Sequence, residues 1–485
     1  MNFEFVANRL GTAAIAKLLA NIVSWGSTIF LIRWLSPADY GIVAIAAIYA
    51  EFLFQFVESA VSADIVRRGF LSLRRARLYT GSVLLLSAIL AIVLLCVSPI
   101  VSSFYAQSTL ALILALKAFE LMISALTIVP EARLLRSIDT KMQGAIIFIG
   151  TVVGALAALV FAINGAGLWS LLVGAFVLRV SKLLLFYVYR PQYICRPRIN
   201  LRHTKNLIIQ NLGLIGNRMT FILYEYIPTM IAGRRLGPIQ TGIYFTSYDL
   251  ASILGNRVMN IVNQVALPVY SRLKDDKPKL QSAILRALGL LTLIYWPCIV
   301  GLAAVSDLFV EVVLGPKWTA AIPVLAVACL AWAARSPWDF VENAMIATNH
   351  ERLQTIMQLI RLLALVTGCF ALSHLGALGF GFAYLGTSIL SSFMMIVVSC
   401  HALGIDRLQA AICLLRGLFA CAAMGAAVRL SFNVMTSIGS IGKLVLGIAV
   451  GVIAYVVAVF IFQRPTIRDF KQLVVHGLLK RNQPK

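Results

Sequence analysis

Two cations stand inside long apolar stretches of this chain, Lys17 and Arg218. A charged side chain at the centre of a membrane helix costs roughly 2.5–3.5 kcal/mol on insertion scales, so it belongs against a bundle interior or water. Neither has an acid three or four residues away, so a local ion pair does not account for it. Lys117 has Glu120 at helical spacing, and Arg335 has Asp339 and Glu342. For these, helix-packing ion pairs and ligand contacts both remain open readings. Arg257 and Arg361 are further bases within apolar runs, and Arg179 and Lys182 lie close enough to a run's end to snorkel. Cations grouped in a water-filled cleft suit an anion, phosphate above all, because ammonium and guanidinium groups hold it by charge-assisted hydrogen bonds. The acids Glu51, Glu58, Glu225 and Asp249 supply a second chemistry, protonation or binding of a coupling ion.

These positions are ordered by an internal repeat. Arg33-Trp-Leu-Ser-Pro-Ala-Asp-Tyr-Gly-Ile42 recurs as Arg234-Arg-Leu-Gly-Pro-Ile-Gln-Thr-Gly-Ile243. Locally the motif is a helix start: Ser36 as N-cap, Pro37 at the first helical position, and Asp39 returning a capping-box hydrogen bond. Gly237, Pro238 and Gln240 take those places in the second copy. The same register pairs Lys17 with Arg218. It also aligns Glu51, Gln55, Ser59 and Ser62 with Ser252, Asn256, Asn260 and Asn263. Each series runs i, i+4, i+8, i+11, which keeps it on one helical face. Gln55, Asn256, Asn260 and Asn263 are therefore candidates to line a polar cavity, and Glu225 shares the face of Arg218. An internal repeat in such a chain points to a two-lobed transporter.

The elements that must position these groups are membrane helices. Hydrophobic residues make up 60% of the 485 and charged residues only 13%, against roughly 25% charged in globular domains. We expect an all-α polytopic membrane protein of about fourteen spans. They lie near 9–34, 40–66, 78–99, 109–130, 142–163, 167–189, 206–232, 240–267, 284–305, 319–346, 355–373, 376–400, 408–429 and 442–462. The net charge of +23 concentrates in alternate loops, including Arg67 to Arg77, Arg190 to Lys205 and Arg272 to Lys279, and in the tail after Arg464. This alternation places those loops and both termini in the cytoplasm of a cell's inner membrane. No basic run with interleaved aromatics lies on a soluble domain, which argues against nucleic acid as a partner. The eight Cys and five His are scattered without metal-ligand spacing, so neither a metal nor another cofactor is expected. The segment 466–480 carries Ile467, Phe470 and Val474 on one face, as an interfacial helix or a solvated end would.

The hairpin Arg33-x-Leu-Ser-Pro-x-x-Tyr-Gly41 resembles the first-loop signature of bacterial polysaccharide transporters. These are the oligosaccharide-lipid flippases of the multidrug/oligosaccharidyl-lipid/polysaccharide superfamily. Gly242-Ile-Tyr244, Pro268-Val-Tyr-Ser-Arg-Leu273 and Leu314-Gly-Pro-Lys-Trp318 look like later elements of the same family, closest to colanic-acid, succinoglycan and xanthan-type exporters. The resemblance implies two pseudo-symmetric six-helix lobes, 1–190 and 206–403, joined by a basic linker 191–205. Two additional helices at 404–462 and a tail at 463–485 would follow. It implies flipping of an undecaprenyl-pyrophosphate-linked oligosaccharide, with Lys17, Arg218 and Arg257 as the best-placed cations and Lys117 and Arg335 as further candidates. A proton or sodium gradient would drive the cycle, and polysaccharide polymerase machinery would be the downstream partner. Two rival readings are a multidrug/cation antiporter of the same superfamily and a membrane glycosyltransferase or ligase. The first would want an acidic or aromatic pocket, whereas the buried bases here are at least as numerous as the acids. The second would want an activating acid or base on a substantial outer loop, and the stretch 306–319 carries no His or paired acids of that kind.

Overall fold

In the computed structural model the apolar runs form long helices whose starts follow the capping chemistry of the sequence. The structure describes residues 3–67, 72–136, 140–435 and 438–463. Within these it describes all side chains except those of 3–18, 63, 66–67, 135–136, 140, 256–265, 267–268 and 351. The chain divides into two compact units, Met1–Gly242 and Ile243–Lys485. The first holds α1 (Phe3–Trp34), α2 (Pro37–Arg67), α3 (Leu73–Tyr105), α4 (Thr109–Arg136), α5 (Thr140–Ile163), α6 (Trp169–Tyr189), the short α7 (Leu201–Gln210) and the first part of α8 (Leu212–Leu273). The second holds the rest of α8, then α9 (Lys277–Leu290), α10 (Trp296–Ala304), α11 (Ser306–Phe309), α12 (Ala321–Ala347), α13 (Glu351–Ala371), α14 (Gly376–Met394), α15 (Cys400–Leu403), α16 (Arg407–Val434) and α17 (Ser440–Phe462). π-helical turns at Leu291–Tyr295 and Met395–Ser399 join α9 to α10 and α14 to α15.

Among the described residues, eleven helices are long and apolar enough to cross a membrane. Their outward faces carry Ile92, Ile100, Leu112, Phe119, Leu156, Leu363, Val452 and Ile453, all exposed, as lipid contact demands. The expected seventh span is corrected at its start. A helix does not run unbroken from 206, because α7 ends at Gln210 and the chain turns at Asn211 before α8. Buried Asn211 donates its side-chain amide to the carbonyls of Ala60 (3.2 Å) and Leu207 (2.9 Å), which fixes the corner. Thr204 and Leu207 are buried while Leu201 and Ile209 are exposed, so α7 is an amphipathic segment tucked against α3.

The capping box at α2 forms as expected. Asp39 accepts from the Ser36 backbone N–H (3.0 Å) and hydroxyl (2.7 Å), and the Ser36 hydroxyl accepts from the Asp39 N–H (3.3 Å). In the second copy Gly237 takes φ 76°, a conformation that favours glycine, and breaks α8 there. The two copies then meet within the first unit. A Cβ on Gly41 would lie 2.0 Å from the carbonyl oxygen of Pro238, and one on Gly242 would lie 1.8 Å from that of Pro37. The repeated glycines are thus reciprocal, each clearing space for the other motif's proline carbonyl.

Among the described residues the first unit is packed by two large apolar clusters and a small one around Leu134, Ile146 and Phe186. One of the large clusters gathers Val57, Val61, Ile65, Tyr79, Val83, Ile128 and Leu207. The other gathers Ile45, Leu94, Val101, Tyr105, Ile113, Leu114 and Leu121. Polar groups on α2, α4 and α6 interrupt this apolar packing.

Candidate functional site

In the first unit the polar face of α2 meets the first part of α8 and the interior of α4 and α6. The Gln55 amide donates to Glu51 Oε1 (2.8 Å), and its carbonyl oxygen accepts from Arg218 Nε (2.9 Å). The four-residue spacing that put Glu51 and Gln55 on one face thus becomes a hydrogen-bonded chain ending on Arg218. The guanidinium also lies 5.4 Å from the Phe221 ring centroid and the side chain is exposed. Its Nη groups have no acceptor among the described residues. Glu58, one turn on from Gln55, sits in the combined field of Glu131, Arg218, Glu51 and Arg179. Deeper in the unit, Lys117 Nζ contacts Glu120 at 2.6 Å, and Arg179 reaches the other Glu120 oxygen at 3.4 Å. Lys182 lies 3.6 Å from Glu131. Lys117 is buried in this contact, and Arg179 is a partner that spacing along one helix could not reveal.

The second unit treats its cation differently. Arg335 is 5% exposed. Its Nε lies 2.9 Å from Asp339 Oδ2, and Nη1 donates to the hydroxyls of Tyr384 and Tyr248, the latter at 3.4 Å. The Tyr248 hydroxyl donates to that of Tyr384 at 2.8 Å. The Trp332 ring lies 4.9 Å below the guanidinium, within cation–π range. Tyr244 stacks on Tyr248 at 6.1 Å. The cage comes from α8, α12 and α14. Its sequence signal was Arg335 and Asp339 at i, i+4; Tyr384 comes from a distant helix and left none. Glu342 accepts from Gln354 and shares the field of Arg361, whose guanidinium lies 4.7 Å from the Trp338 ring.

The structure therefore brings Glu51, Gln55, Glu58 and Arg218 together, and it sets Lys117 and Arg335 in separate clusters, Lys117 sharing Glu120 with Arg179 and Arg335 paired with Asp339. Glu225 and Asp249 are half-buried on α8. Lys17, Asn256, Arg257, Asn260 and Asn263 lie outside the residues whose side chains are described, as does the tail from 464. Among the described residues no group of His, Cys, Asp and Glu could hold a metal ion.

Comparison with known proteins gives this geometry its context. The family described as "Polysaccharide biosynthesis protein" matches residues 30–323. The chain belongs to this family. It is 22% identical over 340 residues to the succinoglycan biosynthesis transport protein ExoT of Rhizobium meliloti, covering 70% of this chain and 68% of that one. It is 27% identical over 247 residues to the teichuronic acid biosynthesis protein TuaB of Bacillus subtilis, covering 50% and 51%. The chain thus spans about half the length of TuaB and two thirds of ExoT. The lipid II flippase MurJ, in an inward closed conformation, shares the fold with a TM-score of 0.72 at 13% identity, over 94% of this chain and 99% of that one. An inward-facing multidrug resistance MATE family transporter of the MOP superfamily aligns with a TM-score of 0.63 at 13% identity, over 81% and 98%. As a member of the polysaccharide biosynthesis family, the chain has a fold common to flippases and drug transporters.

Proposed function

We propose that this membrane protein flips a lipid-linked oligosaccharide for exopolysaccharide, capsule or lipopolysaccharide biosynthesis, and that it is a transporter, not an enzyme. The observation that carries this reading is the family match over residues 30–323, in a chain related to proteins named for succinoglycan transport and teichuronic acid synthesis. The finer reading has an undecaprenyl-pyrophosphate carrier crossing from the cytoplasmic to the periplasmic leaflet of the inner membrane by alternating access. It has fourteen spans, six in each of two lobes and two more after them, and both termini in the cytoplasm. Basic loops on alternate connections support that orientation.

The diphosphate needs cations with hydrogen-bonding capacity to spare, and Arg218 supports this role because its Nη groups point to no protein acceptor among the described residues. Lys17 and Arg257 would join it. Lys117 and Arg335 would contribute to the electrostatic field while their direct contacts stay internal. Glu51 and Glu58, beside Arg218, are the acids best placed to exchange a proton or bind sodium as the anion arrives and leaves. The membrane potential, negative inside, favours outward movement of an anion by roughly 2.3 kcal/mol per charge per 100 mV. The exported glycan would then pass to polymerase machinery.

The test is complementation of a deletion strain with Lys17→Glu and Arg218→Glu, scoring surface polysaccharide against the amount of protein in the membrane. Loss of polysaccharide with normal membrane levels is expected. Full export by both variants overturns the assignment. A deletion strain that keeps its polysaccharide and becomes drug-sensitive would favour the antiporter reading that shares this fold.

A further inference from the structure

A second cationic feature lies far along the chain from Arg218, where α9 and α16 run side by side. A half-open cleft of about 600 Å³ is lined by Gln281, Ser282 and Arg286 of α9 and by Gln409, Cys413 and Arg416 of α16, with Leu285 and Ile412 between them. The two helices begin alike. Asp276 caps α9, accepting from the Lys279 backbone N–H, and Asp406 caps α16, accepting from those of Leu408 and Gln409. Arg286 stands nine residues beyond Lys277, and Arg416 stands nine beyond Arg407. At a rise of 1.5 Å per residue both guanidinium stems leave the helix about 14 Å from its start. Each arginine thus lies about a third of the way along a 28-residue segment, Lys277–Ala304 or Arg407–Val434, long enough to cross a membrane. Both arginines are exposed, and neither has an ion-pair partner among the described residues. Among the described residues no carboxylate lines the cleft.

Arg335, buried in the same unit, is neutralised by Asp339. Arg286 and Arg416 are matched in depth, turned into one cleft and left without such an acid. The amides of Gln281, which donates to the Leu403 carbonyl (3.5 Å), and of Gln409 stand nearer the helix starts, on the side toward which an arginine side chain would snorkel. Two guanidinium forks below two amides form a set of donors with no protein anion to receive them. A phosphate ester matches this set, since each guanidinium can engage two of its oxygens. Leu285 and Ile412 offer the apolar wall that an acyl chain needs. We propose that this cleft binds the phosphate headgroup of an anionic phospholipid, with Arg286 and Arg416 as its principal donors. The basic run Arg272, Lys274, Lys277 and Lys279 at the same helix ends puts the cleft in the inner leaflet under the topology proposed above. The binding itself does not depend on which glycan is carried.

The test uses the full chain in detergent, with native mass spectrometry after addition of phosphatidylglycerol, undecaprenyl diphosphate or inorganic phosphate in separate titrations. The wild-type protein is expected to retain phosphatidylglycerol, and the Arg286→Gln/Arg416→Gln double variant to lose it about tenfold. The Arg286→Lys/Arg416→Lys variant, charged but without the forked donors, is expected to fall between them. Retention of phosphatidylglycerol by the Gln variant at wild-type levels overturns the proposal. So does a loss confined to undecaprenyl diphosphate, which would put the cleft on the carrier's own path, and so does saturation by inorganic phosphate alone. Because binding is read directly, failure here leaves the export assay of Arg218→Glu untouched, and failure there leaves this one untouched.

Discussion

Arg218 in the first unit and Arg335 in the second are the same side chain used in opposite ways. Arg335 is enclosed by Asp339, Tyr248, Tyr384 and Trp332 and is 5% exposed. Arg218 is exposed, spends its Nε on Gln55, and holds that amide against Glu51. The first arrangement encloses the cation among protein partners. The second holds a cation in place through a neutral intermediary, so the acid steadies the arginine without directly neutralising it. Burial of a charge therefore does not by itself identify a binding group, since the better buried cation is the better satisfied one.

The comparison breaks most readily at Arg335. Arg335→Leu would leave Asp339 without its ion-pair partner inside the bundle, and removing one member of a buried pair typically costs about 3–5 kcal/mol. We expect the largest fall in thermal unfolding temperature here, measured in detergent. The Arg335→Leu/Asp339→Leu double variant should recover most of it, because an apolar replacement of a whole buried pair is often neutral or better. A single variant as stable as the wild type would show that the cage does not hold the unit together. Gly41→Ala comes next. Its Cβ would fall 2.0 Å from the Pro238 carbonyl oxygen, and overpacking of this kind costs about 1–3 kcal/mol. Gly242→Ala should match it, since the contact is reciprocal. An effect at only one of the two would show that the repeat's symmetry is not mechanical.

These contrasts show how far the sequence could be read. Helix class was legible because the apolar runs are long and their starts carry capping residues, and the Ser36–Asp39 box formed where its spacing placed it. The Glu51–Gln55 contact was legible for the same reason, because i, i+4 geometry is local. The partners that decide between ligand and packing roles were not. Tyr384 reaches Arg335, and Arg179 reaches Glu120, across helices whose mutual rotation no single-helix period encodes. The break at Asn211 was hidden because apolar runs, Leu207 to Ile209 and Leu212 to Ile215, lie on both sides, while the amide that fixes the turn bonds to the carbonyl of Ala60 in a distant helix. The repeated glycines read as helix-start punctuation. Their closer role, admitting each other's proline carbonyl, needed the two copies side by side.

A smaller effect is expected at the helix start that the first copy supplies. Asp39→Ala removes the carboxylate that accepts from both the backbone and the hydroxyl of Ser36, and loss of a cap costs typically about 1 kcal/mol. Chemical denaturation should show a modest shift with export retained. A loss of export at unchanged stability would instead give this hairpin a direct part in transport.

Arg218→Gln should move stability least, within about 0.5 kcal/mol, as substitutions at exposed positions usually do. Glutamine cannot carry the charge but can still hydrogen-bond Gln55, so the Glu51–Gln55 contact has no reason to break. Export should nonetheless fall steeply, because the group lost is the one with donors to spare. Arg218→Lys separates charge from geometry. A lysine restores the cation without the forked donors, so partial export is expected if two oxygens of one phosphate are held, and full export if only the field matters. Glu51→Gln sharpens the result further. It keeps a hydrogen-bond acceptor for Gln55 but removes the negative charge behind it, so a held anion should release more slowly and a proton-coupled cycle should lose its response to an imposed pH gradient. If Arg218→Gln leaves export intact while Arg335→Lys, still folded, abolishes it, the two arginines have been assigned the wrong way round, and the enclosed cation is the one that meets the cargo when its cage opens.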